Sequence, residues 1–96
     1  MILQTIQNRL EALRDSAAKL DAVILDQKAK DHFLRSALDS LKDAEYALSK
    51  AQKAPNPDDA SMWFGRVELQ LRIAEKHLKR AQDAVSANGL NLTTIG

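Results

Sequence analysis

The chain contains no cysteine, only three glycines and two prolines, and just four aromatic residues. Without thiols there is no disulfide framework, no thiol nucleophile and no cysteine-ligated zinc. Between Met1 and Ala54 neither Gly nor Pro occurs, so no single residue forces a break in the first half. An excess of one charge is also lacking: 14 Lys and Arg against 13 Asp and Glu leave a net charge of +1. No global field therefore draws the chain to nucleic acid or to an anionic membrane, and any charged partner must be met locally. No window approaches the roughly 18 apolar residues of a bilayer span, and the start from Met1 to Arg9 has no basic stretch leading into an apolar run. The expectation is a cytoplasmic protein without membrane contact. At 96 residues, one domain with a single modest core is the ceiling, with no room for a catalytic lobe beside a cofactor domain.

What is present favours helix. Alanine and leucine supply 29 of the 96 residues, and both are strong helix formers. The first clear punctuation is Pro55-Asn56-Pro57-Asp58-Asp59. Pro55 pushes its predecessor out of the helical region, Asn56 can cap a new helix, Pro57 suits its first position, and the two aspartates face its positive end. Asn88-Gly89 reads as a helix stop followed by Leu90, after which 91–96 lose the helical period.

The apolar spacing on the two sides of the proline corner matches. Leu34, Leu41 and Leu48 recur every seven residues, with Ala37, Ala44 and Ala51 three positions later. Beyond the corner, Phe64, Leu71, Leu78 and Val85 form one series and Val67, Ala74 and Ala81 the other. Small residues alternating with large ones let two helix axes approach closely, so these segments are expected to pack on each other as an antiparallel hairpin. The stretches 41–54 and 71–84 share seven identities, which supports the hairpin, although two copies are too few for a solenoid.

The N-terminal segment carries its own stripe of Leu3, Ile6, Leu10, Leu13, Ala17, Leu20 and Ile24. After Leu25 comes the polar window 26–32, where two readings diverge. If the chain turns there, with Asp31 as cap of the next helix, a compact bundle results. If it does not, one helix runs from Ile2 to Lys53, about 75 Å at 1.5 Å per residue, and its uncovered part needs another subunit. The fold class expected is all-α: an antiparallel helical hairpin over about 32–53 and 57–87 with an N-terminal helix over about 2–25. These pack as a three-helix bundle or as a long-helix coiled-coil oligomer. Residues 1–88 form a single helical domain and 89–96 a flexible tail.

Catalytic apparatus is not visible in the sequence. His32 and His77 lie 45 residues apart, and neither has a His or Glu partner at metal-ligand spacing on its helix. There is no glycine-rich phosphate loop, nucleophile elbow or H-E-x-x-H helix. No enzyme activity, cofactor or metal is expected.

Two groups of residues can serve as contacts. Met62, Trp63 and Phe64 bring three large side chains to the start of the last helix, where they either plug the bundle end or anchor a partner. Gly65 beside them either admits another helix or marks the helix start, with Ser61 as cap. Leu3, Ile6, Leu10 and Leu13 are the second candidate partner surface. On the last helix, Arg72, Lys76, Lys79 and Arg80 fall at helical spacing and could meet phosphates along one edge. Against that reading, Glu68 and Glu75 stand four residues before Arg72 and Lys79, as intrahelical ion pairs do.

Trp63-Phe64-Gly65 resembles the W-x-G turn of the small secreted helical-hairpin family named for that motif, over three residues. Lys53-Ala54-Pro55-Asn56-Pro57-Asp58 is similar to the proline-rich turn of type III secretion needle subunits. These resemblances imply a secreted hairpin that assembles into larger structures. From the residues themselves the expected function is a non-enzymatic helical interaction, assembly or adaptor module with a protein partner or itself, most simply as a homo-oligomer. The alternatives are a nucleic-acid-binding accessory protein and a secreted helical-hairpin assembly subunit.

Overall fold

The computed structural model describes residues 2–88, and among these there are four helices and no strand. They are α1 (Ile2–Val23), α2 (Gln27–Phe33), α3 (Arg35–Gln52) and α4 (Pro57–Asn88). Gly89 of the expected Asn88-Gly89 helix stop and the tail at 89–96 lie outside the described residues.

The proline corner forms as its residues dictate. Asn56 Oδ1 accepts the Asp59 backbone N–H at 2.9 Å, Asn56 Nδ2 donates to Asp59 Oδ2 at 3.3 Å, and Pro57 is the first helical residue. One backbone donor that a helix start would leave bare, the Asp59 N–H, is thus satisfied locally, and the side-chain pair holds the capping Asn56 in place. α4 then runs unbroken for 32 residues, so Ser61 is not a cap and Gly65 lies inside the helix. A Cβ built on Gly65 meets nothing within 4 Å among the described residues; no other described helix packs against it there, and it costs α4 about 1 kcal/mol relative to alanine.

The turn before the hairpin falls earlier than the polar window implies. α1 ends at Val23, with Ile24 N–H still donating to Leu20 O at 2.8 Å. Asp26, with extended backbone (φ −79°, ψ 125°), then caps α2 by accepting the Ala29 N–H at 3.0 Å. Asp31, the cap expected from the sequence, lies inside α2 and accepts from Gln27 Nε2 at 3.0 Å. The continuous helix over 2–53 is therefore excluded, and the second helical segment begins at Gln27 instead of 32. Lys30 reaches back to Asp21 at 3.4 Å and ties the two sides of the turn. α2 passes into α3 through Leu34, a single buried residue that keeps a right-handed helical conformation (φ −102°, ψ −26°).

Because the cap belongs to Asp26, Asp26→Ala is expected to lower stability by about 1 kcal/mol, a shift of roughly 4–8 °C in melting temperature. Asp31→Ala removes only an exposed i, i+4 contact and costs about 0.2–0.5 kcal/mol. Thermal unfolding followed by circular dichroism compares them; the reverse order would relocate the turn.

Packing follows the seams. Leu34, Ala37, Leu41, Ala44, Leu48 and Ala51 of the α2–α3 arm are buried, as are Val67, Leu71, Ala74, Leu78 and Ala81 of α4. Phe64 and Val85, at the ends of their series, are partly buried against the same core. The N-terminal helix lies along this hairpin. Arg14 pairs with Glu45 of α3, and Arg9 pairs with Glu68 and with Glu75 of α4. Leu10 shares a groove with Leu48, and Asp21 one with Arg35, so α1 is antiparallel to α3 and runs alongside α4 in the same direction. The result is an up-down-up three-helix bundle with one core.

Candidate docking face

The two surfaces expected from the sequence fare differently. In the N-terminal stripe, Ile6 and Leu10 are buried in the chain's own core, and Leu3 and Leu13 are packed against it half-buried. α3 and α4 of the same chain already cover this stripe, so a second subunit would reach it only by displacing them.

Met62, Trp63 and Phe64 are neighbours in sequence but not one patch, because successive helical side chains point about 100° apart. Phe64 and Trp63 are half-buried against the core, whereas Met62 is 49% exposed. Trp63 meets Tyr46 of α3 edge-to-face, with ring centroids 6.0 Å apart. Arg66 lies over the Trp63 ring at 5.2 Å and Lys50 over Tyr46 at 5.5 Å. This cation-capped aromatic pair closes the outer groove between α3 and α4 near the proline corner. Around it, Tyr46 (59%) and Leu69 (55%) remain among the most exposed large apolar side chains of the described residues. Asp43, Gln70 and Ala47 complete the groove lining.

Tyr46 and Leu69 were not singled out from the sequence. The signal was available for Leu69, which follows Met62 by seven residues on a side of α4 that the buried seam does not occupy. For Tyr46 it was not, since its prominence depends on Trp63 reaching it from the other arm of the hairpin.

The basic residues of α4 divide. Arg72 stands 3.8 Å from Glu68 and Lys79 3.8 Å from Asp83, both as i, i+4 pairs, and Lys76 is exposed on the same side. Arg80 turns instead toward α2, 3.0 Å from His32 Nε2 and over the Phe33 ring at 5.5 Å. Three of the four cations thus share one face, interleaved with carboxylates, and the fourth is held by the bundle.

Elsewhere among the described residues, Val23, Leu25 and Leu38 are the other exposed large apolar side chains, at the opposite end from the proline corner. Leu38 lines an open groove between α1 and α3 with Arg14, Asp21, Arg35 and Lys42. Among the described residues no group of three His, Cys, Asp or Glu side chains could hold a metal ion. No described helix is long and apolar enough to cross a membrane. Comparison with protein-family models, curated proteins and solved structures finds no match to this chain.

Proposed function

We propose that this chain is a non-enzymatic helical protein–protein interaction module that docks its partner on the outer side of the hairpin near the proline corner. The observation that carries the reading is the exposure of Met62, Leu69 and Tyr46 beside the edge-to-face Tyr46–Trp63 pair. Aromatic and methionine side chains held by neighbours, with charged groups at their rim, are what interface anchors are made of. Here Lys50, Arg66 and Asp43 supply the rim. Apolar surface gathered in this way has a reason to be there, unlike a lone exposed leucine.

Site-specific photo-crosslinking in native cells tests the proposal. A benzophenone side chain replacing Met62 or Leu69 is expected to give a discrete covalent adduct with one protein, itself or another. The same group at Asp15, on the exposed side of α1, is expected to give none. Equal adducts at all three positions, or no adduct at 62 and 69, would overturn the reading.

A further inference from the structure

Along its outward side α4 carries Asp58, Met62, Gly65, Leu69, Arg72 and Lys76, separated by steps of three and four residues. At 100° per residue they make one line along the helix, opposite the buried line of Val67, Leu71, Ala74 and Leu78. Glu68 and Glu75 turn to Arg9 of α1 and Trp63 turns to Tyr46 of α3, so the line runs outside both contacts, with Leu69 at the rim of the α3–α4 groove. Asp58 and Lys76 are exposed, and the Arg72 side chain is 75% exposed. Nothing inside the bundle requires a glycine at the middle of this line, because the space beside Gly65 is open.

The line is self-complementary. Asp58 lies seven residues before Gly65 and Arg72 seven after it, while Met62 lies three before and Leu69 four after. An identical helix laid antiparallel across α4, with a two-fold axis at Gly65, sets Asp58 of each copy against Arg72 of the other. It also sets Met62 of each copy beside Leu69 of the other, and the two backbones cross where no side chain stands between them. A parallel arrangement in the same register sets like charge on like charge at both ends and is disfavoured.

We infer that this face joins two copies of the chain through an antiparallel α4–α4 contact crossing at Gly65. The inference rests on the docking reading above and names its occupant. From Asp58 to Arg72, the span that the two-fold axis pairs with itself, the contact is about 21 Å long and about 10 Å wide, well below the roughly 1,200 Å² of total buried surface typical of stable complexes. The dimer is therefore weak and reversible.

Sedimentation velocity on the full chain, from about 10 µM to about 1 mM at low salt, tests it. The expected result is a mass that rises from one chain toward two across that range. Leu69→Glu is expected to stay monomeric throughout. Asp58→Arg and Arg72→Asp should each weaken association about tenfold, and the double variant carrying both should recover it. All these positions are exposed, and circular dichroism verifies that each variant keeps its helix content. A wild-type monomer at the highest concentration sinks the inference, as does a dimer indifferent to Leu69→Glu or single-variant losses that the double variant does not repair. A monomer that still forms a Met62 or Leu69 photo-adduct with a different protein removes this inference and leaves the docking reading standing. A monomer with no adduct removes both.

Discussion

Leu71→Ala is expected to destabilise the protein by about 2–5 kcal/mol, toward the upper end of that range. Leu71 is fully buried at the middle of the hairpin, flanked along α4 by Val67 and Ala74, which are fully buried too. Facing it, Ala37, Ala44 and Leu41 of α3 are likewise buried. Where alanines already hold two helix backbones close, neither helix can move in to fill the space a leucine leaves, and the cavity term stays near its full size. For a domain whose whole stability is about 5–15 kcal/mol, a loss of this size removes a large part of it. The drop in melting temperature is roughly 10–30 °C. The complementary substitution Ala74→Leu should also destabilise, by about 1–3 kcal/mol, because the added side chain must force the helices apart. Urea unfolding monitored by circular dichroism measures both. A loss under about 1 kcal/mol for Leu71→Ala would mean that the two arms are not closed on each other.

The second large effect belongs to a residue outside any helix. Ile24 is 0% exposed and Leu25 is 55% exposed, although they are adjacent in the link between α1 and α2. Ile24→Ala is expected to cost about 2–5 kcal/mol, and Leu25→Ala to stay within about 0.5 kcal/mol of the parent. The contrast arises because the chain reverses at Ile24-Leu25-Asp26: one side chain turns in beneath the corner and the other turns out to water. Equal effects at the two positions would show that the reversal lies elsewhere. Both measurements are made at low protein concentration, so that any self-association through α4 does not add to the apparent stability.

How much of this was readable in advance differs from element to element. The hairpin was legible because two independent signals agreed. Its proline corner has a capping chemistry that works over four or five residues, and the matched heptads of leucine and alanine on either side repeat often enough to define a face. The turn after α1 was legible only in outline. The middle of its polar window, 27–30, is made of good helix formers, and most of the window does form helix; the break falls instead where Ile24 finds a place in the core and Asp26 finds the Ala29 N–H. An aspartate at either end of the window could cap equally well by itself, so the choice rests on where the apolar residues before it must end up.

The surface is where local pattern carried least. Leu3, Ile6, Leu10 and Leu13 make an apolar stripe that fits a partner helix, but a stripe does not say whose helix covers it, and here α3 and α4 of the same chain do. Met62, Trp63 and Phe64 share a stretch of sequence and separate in space, since a helix turns each to a different neighbour. Residue order by itself determined the helical class, the site and capping of the proline corner, and the faces that α3 and α4 bury, because each depends on chemistry within a turn or two of the chain. Only the tertiary arrangement decided that α1 folds back onto the hairpin, that Ile24 is the pivot, and that Tyr46, Met62 and Leu69 are left outside. Those outcomes depend on which of several equally apolar faces meet, and that competition is settled by three helices packing at once.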